Sequence, residues 1–394
     1  CSQKQAAVSS VRRETKSANP PKLYDLTTLQ REANRYYGFT AQQTLELVQS
    51  LYEKKLLTYP RTDSQFLTED MEGTARQVIS IVCRKLPLFI GLSHEPDIQR
   101  VINNAKVTDH HAIIPTVQLD TQDIGELPQS EQKILSLIGM RLLAATGEKH
   151  LYDETRITVL CEGYEFKAKG KTVVQDGWKA IEMRFRASLD GKEKDEPEQV
   201  LPDLREGTVL ESVTSSVTEH FTSPPKAFTE DTLLSAMETA GNEGFDEDTE
   251  KKGLGTPATR AGIIEKLVKG GFVERKGKNL IPTKAGVNLV TVLPELLTSP
   301  KLTADWEQRL NEVAKGQASP EDFMDGIEAM AAELVRKYSH ISEDGQKLFQ
   351  PEKETVGLCP RCGKPVYEGK KNFACSDRAC QFVMWKNDRF WTSR

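Results

Sequence analysis

Four cysteines near the end of the sequence restrict the fold more than any other feature. They are separated by two, twelve and four residues, at Cys359, Cys362, Cys375 and Cys380. Four thiolates bind Zn²⁺ tetrahedrally, and a two-residue gap lets one turn supply two ligands. A secreted disulfide protein would distribute its seven cysteines more evenly. We therefore predict a zinc ribbon at 356–390 and a reducing, cytoplasmic environment.

Aromatic side chains alternate with basic residues around these cysteines. Phe373 and Trp385 lie among them, and residues 351–394 carry nine Lys or Arg against five Asp or Glu. Rings combined with cations form platforms on which single-stranded bases stack. The rings of a small ribbon also form its core, and we expect both roles, for different rings. Phe373 and Trp385 are the candidates for contact with single-stranded DNA.

The charge of the chain is unevenly distributed. The 394 residues carry a formal net charge of −5, so the general basic excess of a simple nucleic-acid-binding protein is absent. Residues 1–64 nevertheless contain ten basic against six acidic residues, and residues 251–278 contain eight against two. Local basic surfaces are typical of a protein that meets a polyanion along one track. Ordinary solvated faces would give the same counts. No apolar run reaches 18 residues, so we predict no membrane partner.

Helices dominate the first part of the sequence. Residues 26–37 are followed by Gly38, and residues 40–43 have the pattern of a capping box that opens a second helix. Two helices joined by a short turn resemble a helix-turn-helix unit, but any helical hairpin has the same pattern. Further helices are predicted at 66–83 and 130–148.

The pattern changes near residue 151. Apolar and polar residues alternate, which predicts a strand-rich region, at 156–160, 164–168, 182–186 and 209–213. A helix at 258–269 is then followed by a basic hairpin at 272–282, which is typical of a winged-helix DNA-binding domain. More helices are predicted at 285–296 and 303–338, and 341–355 is predicted to be a linker.

Two polar motifs are candidates for chemistry. Tyr59 lies two residues before Arg61, a permanent cation. A phenol has a pKa of about 10, so it needs a base or a positive potential nearby to act as a nucleophile. Arg61 could hold a phosphate with two hydrogen bonds. From the residues alone, a structural tyrosine in a turn is the commoner explanation. In the second motif, one of His110 and His111 could donate to a phosphate while the other packs or is solvated.

Several segments together resemble the bacterial type IA DNA topoisomerases, with most similarity to the topoisomerase III group. They occur in the family's order, at 20–30, 59–64, 110–116, 224–230, 253–260 and 302–307 and in the four-cysteine ribbon. The resemblance implies that Tyr59 breaks one DNA strand and becomes linked to the 5′ phosphate. It implies that Arg61 positions the scissile phosphate and that His110 contacts a phosphate. It also implies a DNA contact for Thr259, with Arg260 and Lys269 beside it.

The resemblance implies an α+β multi-domain fold, in which a β-rich hinge joins helical and winged-helix domains and a zinc ribbon follows. The predicted parts are the end of the hinge segment, the helical domain with the nucleophile, the β-rich hinge or gate, the winged-helix-type domain and the ribbon, at 1–15, 21–148, 149–222, 223–340 and 356–390. Such an enzyme relaxes negative supercoils and separates linked DNA without ATP.

The family's N-terminal Toprim domain, with its catalytic Glu and its acidic cluster for Mg²⁺, has no counterpart in these 394 residues. We therefore expect Mg²⁺ in the intact enzyme, with ligands from a missing N-terminal segment or a complementing chain. Alone, this bacterial, DNA-associated chain is expected to bind single-stranded DNA without cleaving it. A tyrosine recombinase or a relaxase fits the motifs less well, and a non-catalytic DNA-binding remnant remains an alternative.

Overall fold

The computed structural model describes residues 1–189, 199–240, 253–340, 342–349 and 355–386. The helices are α1 (Leu26–Tyr37), α2 (Ala41–Glu53), α3 (Glu72–Lys85), α4 (Gln129–Ala145), α5 (Trp178–Ala187), α6 (Glu230–Thr239), α7 (Pro257–Lys269), α8 (Lys284–Val292), α9 (Glu295–Thr298), α10 (Lys301–Ala314), α11 (Pro320–Tyr338) and α12 (Glu343–Leu348). The strands are β1 (Lys4–Ala18), β2 (His150–Cys161), β3 (Tyr164–Gln175), β4 (Val209–Val213), β5 (Val273–Lys276), β6 (Asn279–Pro282), β7 (Thr355–Leu358), β8 (Pro365–Glu368), β9 (Asn372–Cys375) and β10 (Val383–Trp385). None of the helices in these ranges is long and apolar enough to cross a membrane.

The chain divides into two compact units, and the mixture of helices and strands confirms the predicted α+β class. The first unit comprises residues 1–286 and 295–317, and the second comprises residues 287–294 and 318–394. The tyrosine and histidine motifs belong to the first unit, and the four cysteines belong to the second. The domain boundaries expected from the sequence stay predictions.

The helices α1–α4 and the segments between them form a helical body around one apolar core. Asp25 caps α1 by accepting a hydrogen bond from the backbone N–H of Thr28, and Gly38 ends it at a φ of 71°, which a residue without a Cβ adopts without strain. Thr40 and Gln43 form the predicted capping box of α2. The centre of the core is fully buried and includes Leu23, Tyr24, Leu26, Leu29, Leu51, Phe89, Leu135 and Ile138.

A four-stranded antiparallel sheet has the strand order β3-β2-β1-β4. β1 pairs with β2 from Ala7, opposite Leu160, to Ala18, opposite His150, and its other edge pairs with β4. The strands agree with three of the alternating segments in the sequence. Because α1–α4 lie between β1 and β2 along the chain, the whole helical body is an insertion between two neighbouring strands.

One strand prediction is wrong. Residues 182–186 alternate between polar and apolar side chains, but they lie in helix α5. Ile181 and Phe185 are four residues apart, are both buried and join the core of the helical body, and Trp178 packs against that core from one turn earlier. The helical spacing of these three apolar residues outweighs the alternation of their neighbours.

Two other segments differ from expectation, and the end of a third lies outside the described residues. The helix predicted at 66–83 starts later, as α3, because Leu67 forms an isolated parallel bridge with Ile102. The predicted linker at 341–355 contains the short helix α12. The last positions of the predicted ribbon, 387–390, lie outside the described residues.

The helices α6 and α7 and the hairpin β5–β6 follow the expected winged-helix order. They share a small apolar cluster with the first residue of α2, formed by Ala41, Leu234, Met237, Ala261, Ile264 and Leu280. Beside this cluster, Arg31 and Arg35 of α1 form ion pairs with Asp231 of α6, at 3.0 and 2.9 Å. Apolar packing and charge pairs therefore connect α6 to the helical body.

Candidate nucleic-acid site and metal centre

Threonine side chains and backbone groups hold the tyrosine motif against the histidine motif. The Thr58 N–H donates to the Ile114 carbonyl at 3.0 Å, and the Thr58 hydroxyl donates to the Ala112 carbonyl at 3.1 Å. The Thr62 hydroxyl donates to the His110 carbonyl at 2.9 Å. These bonds lie on both sides of Tyr59, so they fix the loop at 58–62 relative to the backbone of the histidine motif.

Tyr59 is half-buried between two aromatic rings. The ring of Tyr52, from the last turn of α2, meets it edge-on at 5.5 Å between centroids and 81° between planes. The ring of His110 lies 4.3 Å away at 41°. Contacts of this kind stabilise a ring in one orientation. The structure therefore brings together two of the three residues that the sequence marked as catalytic.

A cavity of about 170 Å³ lies beside these rings. Its lining comes from the tyrosine loop, the histidine loop and the start of α7, namely Arg61, Thr62, Asp63, Thr108, Asp109, His110, Thr256, Pro257 and Ala258. Arg61 and His110 are exposed to solvent. A permanent cation, an imidazole and a helix N-terminus line this space, and these groups suit a phosphate. The carboxylates of Asp63 and Asp109 line it as well and oppose an anion on their side of the cavity.

Two glycines shape the wall that α7 contributes. A Cβ on Gly253 would lie 1.9 Å from the Met237 carbonyl of α6, and Gly255 has a φ of +69°. The turn they form places Thr256 as the N-cap of α7. The Thr256 N–H donates to the Thr259 hydroxyl at 2.9 Å, so Thr259 stabilises the helix start that faces the cavity.

The two basic residues predicted beside Thr259 lie elsewhere. Arg260 is buried: its Nε donates to the Leu254 carbonyl at 3.2 Å and its Nη1 donates to the Thr27 hydroxyl at 2.8 Å. Burial lowers the pKa of this guanidinium. Lys269 is exposed in the last turn of α7, which is the end of the helix away from the cavity. The cavity therefore contains neither side chain.

The four cysteines form a group whose sulfur atoms all lie within 4.8 Å of one another, and no other group of three or more potential ligands is found in the described ranges. The sulfurs of Cys359 and Cys380 are 3.6 Å apart, and those of Cys362 and Cys375 are 3.4 Å apart. Tetrahedral Zn²⁺ with bonds of about 2.3 Å separates its ligands by about 3.8 Å. The geometry and the thiol donor set therefore fit such a metal.

Backbone groups prepare one of these thiols to bind a metal. Burial raises the pKa of Cys359, but the N–H groups of Arg361 and Cys362, with the thiols of Cys380 and Cys362, lower it to about 7. The hydrogen bond from Cys362 and burial raise the pKa of Cys380 to about 12, so Cys359, unlike Cys380, is favoured as a thiolate before metal binds. A lower pKa favours the thiolate, which is the form that binds metal. The sheet that carries the cysteines has the strand order β10-β9-β8-β7.

The two ring candidates of the ribbon have different surroundings. Trp385 lies on the edge strand β10 and is 59% exposed. Phe373 lies on β9, is half-buried, and has the Lys386 ammonium 5.3 Å from its ring centre. The exposed ring is open to a stacking base, whereas the half-buried ring also belongs to the body of the ribbon.

Sequence reasoning missed the contribution of Tyr52 and of the start of α1. Tyr52, in the last turn of α2, is exposed and packs on Tyr59. No sequence signal linked Thr27 to Arg260, because the two positions are far apart along the chain.

Comparison with known proteins gives matches over most of the chain. A sequence profile described as DNA topoisomerase matches residues 1–325. The "DNA topoisomerase 3" of Bacillus subtilis is 38% identical over 393 residues, which is 96% of this chain and 53% of that protein. The protein of the same name from Bacillus cereus is 36% identical over 395 residues, which is 95% of this chain and 53% of that protein.

One solved structure has a similar fold. Full-length topoisomerase I from Thermotoga maritima matches with a TM-score of 0.63 and 24% identity, over 97% of this chain and 60% of that one. This match concerns the fold alone. The chain spans about half the length of the curated relatives it matches.

Proposed function

Because the chain belongs to the DNA topoisomerase family, as a topoisomerase III-like type IA member, we propose that it carries the nucleophile and part of the DNA-binding surface of an enzyme that breaks, passes and rejoins single DNA strands. Such an enzyme relaxes negative supercoils and separates linked molecules. The single observation that supports this most is the cavity between Arg61, His110 and the start of α7, since the His110 ring that lines it also packs on the ring of Tyr59.

In the proposed reaction the Tyr59 oxygen attacks the phosphorus of one DNA phosphodiester. A new P–O bond links the tyrosine to the 5′ phosphate, the bond to the 3′ oxygen breaks, and that oxygen leaves as a hydroxyl while the phenol loses its proton. The reverse attack by the 3′ hydroxyl restores the strand. One phosphodiester replaces another, so the reaction needs no ATP.

The residues around the cavity have separate roles in this proposal. Arg61 pairs with the charge that develops on the phosphate oxygens, as does the positive end of α7, which is stabilised by Thr259. His110 contacts the same phosphate from the other wall and keeps the ring of Tyr59 in place. Thr62 fixes the distance between the two loops through its bond to the His110 carbonyl.

The ribbon and the winged-helix segment are each proposed to make further contacts with DNA. We propose Zn²⁺ for the four cysteines, where it would hold the small sheet together and take no part in strand cleavage. Trp385 would stack on a single-stranded base, with Phe373 and Lys386 beside it. Lys269, exposed at the end of α7, would meet a neighbouring DNA phosphate.

We test the assignment in the full-length enzyme that contains these residues. Tyr59→Phe abolishes strand cleavage, because the phenolic oxygen makes the covalent bond. Arg61→Ala slows cleavage by about a hundredfold, since the loss of one charged contact costs about 3 kcal/mol of transition-state stabilisation. The measurement traps the covalent DNA adduct by denaturant quench and maps the labelled peptide.

Tyr52→Phe is the matched control, because it removes a hydroxyl from the ring that packs on Tyr59, and this variant still forms the adduct. An adduct on Tyr52, or cleavage by the Tyr59→Phe enzyme, would contradict the proposal. Binding of single-stranded DNA with no adduct in any variant would instead support the alternative of a non-catalytic binding protein.

A further inference from the structure

The cap and first turn of α1, residues 25–28, contact both sides of the cavity. The Leu26 N–H donates to the Thr62 carbonyl at 3.1 Å, in the middle of the tyrosine loop. The next residue, Thr27, accepts the hydrogen bond from Arg260, one turn into the helix whose start forms the opposite wall. The relative position of the two walls therefore depends on the start of α1.

Asp25, the N-cap of α1, uses its two carboxylate oxygens differently. Oδ1 accepts hydrogen bonds from the backbone N–H and the hydroxyl of Thr28, each at 2.7 Å, and so caps α1. Oδ2 accepts a hydrogen bond from the amide of Gln65 at 3.0 Å. Gln65 directly follows the run from Tyr59 to Ser64 in the sequence, so this second bond holds the end of the tyrosine loop.

A cap alone does not require this carboxylate. Serine and asparagine cap helices about as well as aspartate does, and they avoid the cost of burying a charge. Asp25 is only 5% exposed, and burial raises the pKa of its carboxyl to about 6. Glu238 and the buried guanidinium of Arg260 are the charged groups that act on it. What a serine cannot supply is the second acceptor, which faces Gln65.

We propose that Asp25 is a positioning residue for the tyrosine nucleophile: through Gln65 it holds the loop of Tyr59 at the distance from the α7 wall that a phosphate requires. The proposal rests on the proposed function of Tyr59. It assigns no contact between Asp25 and DNA. It predicts that one of the side chains at positions 25 and 65 must donate a hydrogen bond and the other must accept it. This pairing matters more than the identity of either residue.

Four proteins test this polarity. Gln65→Glu places a second carboxylate 3 Å from the first, and repulsion displaces the loop. Asp25→Asn is tolerated, because the Gln65 amide rotates and accepts from the new N–H group. The double variant restores the contact, with the asparagine donating to the glutamate. Gln65→Met removes the bond without adding charge and gives a smaller displacement.

The first measurement uses the 394-residue chain with 3-fluorotyrosine at position 59 and records its ¹⁹F resonance at pH 8. The fluorine reports the ring contacts with Tyr52 and His110 without any need for catalysis. We expect the resonance of Gln65→Glu to move, and that of the double variant to return to the wild-type position. Circular dichroism of each variant verifies that it is folded.

Gln99→Glu is the matched control. Gln99 also donates its amide to a carboxylate of the helical body, Glu72, at 2.8 Å, but it lies outside the cavity lining. The repulsion that Gln99→Glu creates beside Glu72 is expected to leave the fluorine resonance unchanged. A resonance that moves equally in both variants would overturn the proposal, because the effect would then be a general one.

The second measurement follows adduct formation in the full-length enzyme. A misplaced nucleophile loses about a hundredfold in rate, so we expect that loss in Gln65→Glu with DNA binding unchanged, and recovery in the double variant. An unaffected Gln65→Glu enzyme, or a double variant as slow as the single one, would overturn the proposal. If wild type itself forms no adduct, the proposed function fails, while the fluorine result still decides whether Asp25 positions the loop.

Discussion

Asp25 carries its charge at a position where burial opposes ionisation. The pKa of its carboxyl is raised from 3.8 to about 6, chiefly by burial, while the hydrogen bonds from Thr28 and Gln65 act in the opposite direction. A raised carboxyl pKa means that the folded protein binds this proton more tightly than the unfolded chain does. The stabilising effect is complete below the unfolded pKa and is lost as the pH rises through 6.

This linkage gives a prediction for Asp25→Asn. From pH 4 to pH 7.5, the free energy of unfolding of wild type minus that of the variant falls by roughly 2–3 kcal/mol, since one pKa unit corresponds to about 1.4 kcal/mol. Denaturant titrations at five pH values, followed by the signal of the helical body, measure this difference. The exposed carboxylate of Asp120, replaced by Asn, serves as control. A difference that is flat with pH would show that Asp25 titrates in its ordinary range.

The sequence was informative about residues with local roles and silent about those with distant partners. Thr40 and Gln43 were identified as a capping box because both partners lie within four residues. Arg260 was predicted at the DNA surface, yet it donates to Thr27 in the interior. Its partner is more than 200 positions away, and a basic residue at the start of a helix gives no indication of which way it turns.

At the level of elements, Glu230 connects three of them. It lies in the first turn of α6 with 3% of the residue exposed, accepts a hydrogen bond from the Ala41 N–H of α2 at 2.5 Å, and pairs with Arg275 of β5 at 2.8 Å. Arg275 is partly exposed and also pairs with Glu265, so its charge stays partly compensated without Glu230. The buried N–H of Ala41, in contrast, would lose its acceptor, which is costly. The start of α6 therefore depends on this side chain.

We predict that Glu230→Ala lowers the free energy of unfolding by roughly 1–3 kcal/mol, chiefly because the buried N–H of Ala41 loses its acceptor. Glu274→Ala is the comparison, because that glutamate is exposed and pairs with Lys276 on the same short strand. An exposed pair contributes about 1 kcal/mol or less. Chemical denaturation of both variants measures the two losses, and equal losses would mean that solvent screens the Glu230 pair as well.

Elements with a regular pattern were predictable, and those with two competing patterns were not. Helix α5 was predicted as a strand from the alternation at 182–186. The spacing of Trp178, Ile181 and Phe185, which face the core, identifies the helix when the pattern is read from residue 178 instead of residue 182. The strand β1 was expected only as the end of a hinge, because its partners lie far along the chain.

At the level of the whole molecule, our proposal gives each of the two units its own contact with DNA, at the cavity in the first and at the ribbon in the second. Deletion of residues 351–394 removes nine basic residues and the exposed ring of Trp385. We expect about ten- to hundredfold weaker binding of a single-stranded oligonucleotide, since each stacked base contributes roughly 1–3 kcal/mol. Fluorescence anisotropy at fixed salt measures the loss, and hydrogen exchange in α1–α4 verifies that the truncated chain is folded.

Metal analysis completes this prediction. The intact chain, purified without chelator, is expected to contain one zinc per molecule. The double variant that carries Cys362→Ser and Cys380→Ser is expected to contain none and to bind DNA as weakly as the truncated chain. Well under one zinc in the intact chain would contradict the metal assignment. Unchanged affinity after the deletion would contradict the role of the ribbon.

The insertion of the helical body between β1 and β2 has a consequence during synthesis on the ribosome. About 130 residues separate the end of β1 from the start of its partner. At 5–20 residues per second, β1 waits roughly 7–25 s with both edges unpaired. The helices α1–α4 have time to form in that interval, but α5, which completes their core, follows β2 and β3. The delay before β2 appears is the period in which β1 is open to pairing with another chain.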